Sequence, residues 1–385
     1  MGTINQYPDR PKTHQNRPRS RNYGQLPKHI DMSQPTIAEI KTAQLTKDRQ
    51  LTAKNQQLSL FDRDRENPTL NLPLKSSQTH HIISLFSGCG GMDLGFLGNF
   101  TFLGKHYPKL PFKIIWANEQ NPRACDTYRH NFPHNIICQD IWDAIETLPT
   151  SADIVIGGFP CQDISINGKR HGIEGERSGL YRAMVSVVET VQPKIFVAEN
   201  VKGLLMKHSV FSLQKVLEDF RKLGYQISYK LYNSASFGVP QTRDRVFIIG
   251  TKLGINFTHP TPILSQDEYI TAHTALHDLE DLPEAPEINH IWSKANRSKE
   301  QGGRRLKADR AGYTIRAECH GNIHFHYKHP RRMSMREAAR IQSFPDEFIF
   351  QAKLREMERQ IGNAVPPVLA WHVAKAVAMS LENHG

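Results

Sequence analysis

The chain has 385 residues, 38% of them hydrophobic, and a formal net charge of +11. At about 150 residues per domain there is room for two or three domains. No run approaches the ~20 apolar residues of a membrane span, and the N-terminal MGTINQYPDRPKTHQNRPRSR lacks the apolar centre of a secretory signal. The five cysteines, Cys89, Cys125, Cys138, Cys161 and Cys319, are odd in number and form no CxxC pair, which argues against a disulfide framework or a cysteine-rich zinc site and fits a reducing cytosol.

Residues 1–78 carry +6 of the net charge, are rich in Gln, Pro, Asn and Arg, and contain few aromatics. They read as a basic, largely disordered extension with one helix near 36–56. From residue 79 the texture changes. HIISLF (81–86), FKIIWANE (112–119), ADIVIGGF (152–159) and KIFVAENV (194–201) are continuous apolar runs. NPRACDTYRHNF (121–132) and GLYRAMVSVVETVQ (179–192) read as helices between them. This rhythm predicts a parallel sheet covered on both faces. YQISYKLYNSASFG (225–238) and RDRVFIIGT (243–251) follow with no helix between, and predict an antiparallel pair at one edge. Residues 252–330 lose the rhythm and read as a separate irregular module. It holds a basic tract: Lys294, Arg297, Lys299, Arg304, Arg305, Lys307, Arg310 and Arg316 against Glu300 and Asp309. Such a tract fits a polyanionic partner or a solvated basic face. Regularity returns at 331, where Ser334 and Glu337 predict a capping box opening a helix that ends before Pro345. The last segment puts Leu369, Val373, Val377 and Leu381 on one helical stripe behind Pro366 and Pro367.

In open parallel sheets, ligands bind beyond the carboxyl ends of the strands, and here each end is polar or glycine-rich. FSGCGG (86–91) is a turn whose glycines let backbone approach a ligand. It resembles a dinucleotide fingerprint, except that Asp93 stands where the third glycine belongs. Glu119 is placed to hold a ribose diol, and Asp140, at the end of a third strand, to meet a base amino group; either could instead be a helix cap or a surface acid. Cys161 and Glu199 end strands joined by one helix, so thiol and carboxyl can face one substrate. Cys161 could equally be an inert buried thiol. In QTRDR (241–245), Gln241, Arg243 and Arg245 point to one side; one arginine could favour a thiolate and another orient Glu199.

These segments together resemble the bacterial DNA (cytosine-5) methyltransferases over residues 81 to about 380. LFSGCGGMDLGF resembles their S-adenosylmethionine loop, GGFPCQDIS (157–165) the nucleophile motif, AENV (198–201) the acid motif and QTRDR the QxRxR motif. RRMSMREAARIQSFPDEF (331–348) resembles the segment that organises target recognition, and QIGNAVPP (360–367) the last motif, which returns to the cofactor pocket. The stretch 97–111 looks longer than in minimal members. The resemblance implies a Rossmann-like methyltransferase sheet, mostly parallel, with a small irregular target-recognition domain at 252–330 and a return to the catalytic domain at 331–385. It implies methyl transfer from S-adenosyl-L-methionine to C5 of a flipped cytosine in duplex DNA. Cys161 would be the nucleophile, with Glu199, Arg243 and Arg245 in the catalytic group. Phe86, Ser87, Gly88, Gly90, Glu119, Asp140, Ile141, Pro160, Leu180, Asn363 and Val365 match cofactor-contact positions. Gln241, Arg304, Arg305, Lys307, Arg310 and Arg316 are the candidate DNA contacts, and base readers are sought in AGYTIRAECHGN (311–322).

No metal is expected: CHGNIHFHYKH (319–329) has one cysteine and the wrong spacing for zinc, so its histidines are read as lining a DNA-facing strand or loop. QLSLF, Gln57-Leu58-Ser59-Leu60-Phe61, resembles the short peptide by which bacterial proteins bind the replication sliding clamp; an amphipathic segment docking on the enzyme's own body is the other reading. A monomer in the bacterial cytoplasm, near the nucleoid, protecting host DNA beside a restriction enzyme, fits the whole. A tRNA cytosine-5 methyltransferase of the same fold, a catalytically silent DNA-binding regulator and a nicotinamide oxidoreductase remain as alternatives.

Overall fold

The computed structural model describes residues 78–159, 179–294, 304–317 and 323–383. The extension with its clamp-like peptide, and the loop carrying Pro160 and Cys161, lie outside the described residues. In chain order, β1 (His80–Leu85) leads through loop 86–90 into α1 (Gly91–Leu97). A hairpin of β2 (Phe100–Phe102) and β3 (Lys105–Tyr107) comes next. Then follow β4 (Phe112–Ala117), α2 (Pro122–Asn131), α3 (Ile141–Ala144) and β5 (Ile154–Gly158). α4 (Leu180–Val191), β6 (Ile195–Val201), α5 (Val210–Lys222) and β7 (Gln226–Asn233) complete the regular alternation. After β8 (Gln241–Thr242) and β9 (Asp244–Thr251), the segment to residue 330 holds α6 (Ala272–Leu276) and β10 (Gly312–Tyr313) among its described residues. The chain closes with α7 (Met335–Ile341), α8 (Leu354–Asn363) and α9 (Pro367–Glu382).

The central sheet runs β4-β1-β5-β6-β9-β7. Its first four strands are parallel, and β9 is antiparallel to both β6 and β7. The mixed α/β architecture matches the expectation, and the order adds one detail. The later strand, β9, lies inside and the earlier one, β7, takes the edge. Composition explains this: β9 contains the apolar run VFIIG and is buried from Val246 to Thr251, whereas β7 carries half-exposed polar residues that suit an edge.

Side chains alternate across the sheet. Ile154, Ile156, Ile195, Val197, Phe247 and Ile249 enter one hydrophobic group with α1, α2 and α9. Val155, Phe196, Ala198, Val246 and Ile248 enter another with α4 and α5. The first group continues without a break into Ile255, Leu276, Leu306, Ile315 and Ile323. Segment 252–330 thus shares the core of the sheet. The hairpin explains the added length of 97–111: Tyr107 is buried, stacks on Phe100 and meets the edge of Trp371 on α9. Leu103 and Gly104 at its tip both have positive φ, as a two-residue hairpin turn requires.

The capping box forms as expected: Ser334 Oγ accepts from Glu337 N at 3.0 Å, and Glu337 Oε2 accepts from Ser334 N at 2.7 Å. Leu369, Val373, Val377 and Leu381 are buried together on α9. The stretch Leu354–Glu382, which spans α8 and α9, reaches the length and mean hydropathy of a membrane span. Since 83% of its most apolar window is buried inside the protein, it belongs to the core.

Candidate active site

The carboxyl ends of β1, β4, β5 and β6 form one rim. β1 has β4 on one side and β5 on the other, and chain connections leave it in opposite directions, the arrangement that opens a ligand crevice at strand ends.

The loop after β1 is held in a conformation few residues adopt. Phe86, Gly88 and Gly90 have φ of 53°, 58° and 94°. A Cβ on Gly91 would lie 2.5 Å from the carbonyl oxygen of Val365, so the residue must be glycine for the last motif to seat against the first. Glu119 clamps the loop from β4: its Oε2 accepts from Gly88 N at 3.0 Å and its Oε1 from Asn121 N at 2.8 Å. Burial pushes the Glu119 carboxyl upward, and these amides pull it back. Asp140 caps α3, its Oδ1 accepting from Trp142 N, and remains exposed. The third strand expected to end at Asp140 reduces to a single bridge between Asn118 and Ile137, with Asn118 Nδ2 donating to the carbonyls of Ile137 and Gln139. Ile141 turns into the core, Leu180 and Phe86 are half-buried, and Asn363 is exposed. Two acids, a partly exposed ring and a glycine loop with open space above Gly88 suit a ligand with a ribose, a base and a cationic end.

Glu199 stands opposite Gly158 in the β5–β6 register. Arg245 Nε meets Glu199 Oε1 at 2.8 Å, with both side chains near 11–12% exposed. Oε2 has no hydrogen-bond partner among the described residues. It lies where a Cβ on Gly158 would come within 2.9 Å, so the first residues of GGFPC must be small for this carboxyl to fit. Burial raises the Glu199 pKa, and the charges of Arg245 and Arg243 lower it less; the net direction is up. Asn200 Nδ2 donates to the Phe159 carbonyl at 2.9 Å and fixes the strand end that leads into residues 160–161.

Arg243 and Gln241 correct the sequence reading. Arg243 is fully buried, and its guanidinium donates to the carbonyls of Ile315 at 2.7 Å, Gly362 at 2.7 Å and Ala364 at 3.1 Å. It acts on Glu199 only at longer range, through its charge, while its guanidinium is committed to those carbonyls. Gln241, expected on DNA, is fully buried. Its amide donates to the Ile341 carbonyl and to Gln342 Oε1 and accepts from Ile315 N, which leaves nothing for a base or phosphate. The pair ties 315, 341–342 and 362–364 to one point. Replacing Arg243 by Met strands the buried carbonyls of Ile315 and Gly362, while that of Ala364 keeps Gln342 Nε2; at ~1–3 kcal/mol for each lost partner we expect a loss of several kcal/mol, read as a fall in melting temperature and denaturation midpoint.

Among the candidate DNA contacts, Arg304, Lys307, Arg310 and Arg316 are exposed. Arg304 lies over the Tyr313 ring, and Arg310 pairs with Asp309. Arg305 is partly committed inward, donating to the carbonyls of His326 and His329. The DNA-facing reading of the histidines fails for His324 and His326. Both are buried, and burial pushes both down to about 4, so they are neutral core residues. Among the described residues no cluster of three or more His, Cys, Asp or Glu could hold a metal. The sequence reading also missed Asp93, which is buried beneath the glycine loop between Ser84 and Tyr128. Its only signal was its place in the glycine fingerprint.

Fold and rim together define a doubly wound α/β protein whose strand-end crevice carries a glycine loop and a buried carboxyl paired with an arginine. The family model described as C-5 cytosine-specific DNA methylase matches residues 80–305 and 286–379. Type II methyltransferase M.NgoFVII of Neisseria gonorrhoeae is 37% identical over 337 residues, 78% of this chain and 87% of the relative. Type II methyltransferase M1.HphI of Haemophilus parahaemolyticus is 34% identical over 77% of this chain and 86% of the relative. The chain belongs to the C-5 cytosine-specific DNA methylases and is a DNA cytosine-5 methyltransferase. The solved S. pombe Dnmt2 methyltransferase shares the fold, with a TM-score of 0.57 at 19% identity over 79% of this chain and 99% of that one.

Proposed function

We propose that the enzyme methylates C5 of one cytosine in a short duplex DNA sequence, with S-adenosyl-L-methionine as methyl donor and Cys161 as nucleophile. The observation that carries this reading is the buried Glu199–Arg245 pair, set against Gly158 three residues before Cys161. When bound, S-adenosylmethionine supplies an electrophilic methyl on a sulfonium. Loop 86–90, Glu119, Asp140 and Val365 would hold it.

C5 and C6 of cytosine are unreachable within the base stack, so the target nucleotide must flip into the rim. The Cys161 thiolate forms a bond to C6. Electron density moves toward N3, where Glu199, which burial inclines to keep a proton, meets it by hydrogen bond or proton transfer. Arg245 fixes the orientation of that carboxyl and Asn200 that of the strand end beside it. The charge returns through the ring to make C5 nucleophilic. After methylation, loss of the C5 proton and expulsion of the Cys161 thiolate restore the aromatic ring.

The exposed arginines and lysine of 304–316 suit phosphate contacts, which position DNA without reading sequence. We extend the reading to host protection beside a restriction enzyme, in a monomer of the bacterial cytoplasm; the similarity to type II methyltransferases supports the protective role. A sliding-clamp tether at 57–61 rests on those five residues alone. The test is methyl transfer from labelled S-adenosylmethionine to unmethylated duplex DNA, with tRNA in parallel, and mapping of the product base. Label on cytosine C5 in one short DNA motif is expected. Label confined to tRNA, or none, overturns the reading.

A further inference from the structure

Asp93 is fully buried, and among the described residues no cationic side chain pairs with it. A buried carboxylate without a counter-ion costs several kcal/mol, and this one is surrounded by hydroxyls instead. Ser84 Oγ donates to Oδ1 at 2.7 Å and Tyr128 OH to Oδ2 at 2.5 Å. Ser84 Oγ lies 2.8 Å from Ser87 Oγ, and Tyr128 OH lies 2.6 Å from His134 Nε2.

A hydroxyl has one hydrogen to give. Ser84 spends its hydrogen on Asp93, so in the contact with Ser87 it can only accept. The other inward contact of Ser87 Oγ, with the Ser84 carbonyl at 3.2 Å, also takes the Ser87 hydrogen. Either way that hydrogen points inward. On the other branch, Tyr128 spends its hydrogen on Asp93, which puts the proton of His134 on Nε2. Every donor in the chain therefore points at one carboxylate. Ser87 sits in the half-buried loop that faces the rim, with lone pairs alone left to offer outward.

We propose that Asp93 is a positioning residue for the cofactor: it orders the Ser84–Ser87 hydroxyls so that the glycine loop presents an acceptor, backed by a buried negative charge, to the cationic amino-acid end of S-adenosylmethionine. This rests on the cofactor reading above. It explains why an acid replaces the third glycine of a dinucleotide loop, since a pyrophosphate would be repelled where a sulfonium and an ammonium are drawn in.

Burial raises Asp93 to about 6, with Tyr128 and Ser84 pulling it down. A ligand cation favours the ionised form, so affinity rises as pH climbs through that value and levels off above it. The other titratable groups here behave differently. Tyr128 stays protonated, Cys89 is pushed up to about 12, and His134 is lowered by burial. Glu119 is also raised and contributes its own dependence. At the α1–α9 contact, Gly95 meets Pro367 and Ala370.

Isothermal titration of S-adenosylmethionine into the full chain without DNA, at pH 5.5 and 7.5 and at steps between them, tests the proposal. Asp93→Asn should weaken binding about tenfold at pH 7.5 and remove most of the gain between the two pH values. Ser87→Ala should weaken it less, and adding Asp93→Asn to Ser87→Ala should cost less than the two single losses combined. Tyr128→Phe, which keeps the carboxylate, should move the midpoint of the pH dependence upward and serves where Asp93→Asn fails to fold. Unchanged affinity in Asp93→Asn, a pH dependence like wild type, strictly additive losses or an unmoved midpoint in Tyr128→Phe each overturn the proposal. If wild type binds no S-adenosylmethionine at either pH, the cofactor reading itself falls.

Discussion

Glu199→Gln is expected to slow methyl transfer about 10²–10⁴-fold, the usual range for a lost proton-sharing group, with little change in fold. Glutamine fills the same space over Gly158, and its carbonyl oxygen can still face Arg245 Nε, so the packing survives while the ion pair is lost. It cannot share a proton with N3. Single-turnover rates give the loss, and a thermal melt shows that the protein is intact. The pH dependence gives a second reading. Burial raises the Glu199 pKa, so the group keeps its proton higher on the pH scale than an exposed glutamate does. As pH climbs past that value the wild type loses the shared proton, and the ratio of wild-type to variant rate should shrink. Taking the ratio removes the titration of Cys161, common to both. A ratio near one at every pH would leave Glu199 a structural partner of Arg245 and nothing more.

Cys161→Ser is expected to abolish transfer, by more than about 10³-fold, while S-adenosylmethionine still binds. A serine hydroxyl is a far weaker nucleophile than a thiolate near neutral pH, and nothing downstream proceeds until C6 is attacked. A duplex with 5-fluorocytosine at the target separates attack from turnover, because the fluorine cannot leave C5 as the proton does. Wild type should remain covalently attached to such DNA through denaturation, and the serine variant should not. Attachment by the variant, or turnover near normal, would remove Cys161 from the mechanism.

The repeating parts of the fold were legible because their signals are local. Four apolar runs, the helices between them, the antiparallel pair and the Ser334–Glu337 box depend on periodicity and near neighbours, and each forms where expected. The acid–arginine pair was legible for a related reason: the register that sets Glu199 beside Gly158 follows from adjacent parallel strands. What escaped is decided by contacts distant in sequence. Gln241 looked like a surface amide until residues 315, 341 and 342 closed around it. His324 and His326 looked like a polar stripe, yet Tyr313 and Glu337 bury them from segments on either side. Asp93 read as a flaw in a glycine pattern because its partners lie nine and 35 residues away. The hairpin at 100–107 did leave a trace, alternating F-T-F and K-H-Y around Leu103-Gly104, which the longer runs on either side outweighed.

The Gln241–Arg243 knot bears on how such an enzyme can acquire a new target sequence. Recognition is often pictured as a cassette exchanged between otherwise constant frames. Here residues 312–315 are fastened to the strand that carries the arginines: Gly312 and Tyr313 pair with Gln241 and Thr242, and the side chains of Arg243 and Gln241 hold the carbonyl and the amide of Ile315. If residues 252–330 form the target-recognition region, as proposed, an exchangeable part would end before Ala311, and residues 311–317 would travel with the catalytic body. Under that reading, variation of specificity belongs to the exposed positions between β9 and that seam, because Ile255, Leu276 and Leu306 in the same stretch are buried in the core shared with the sheet.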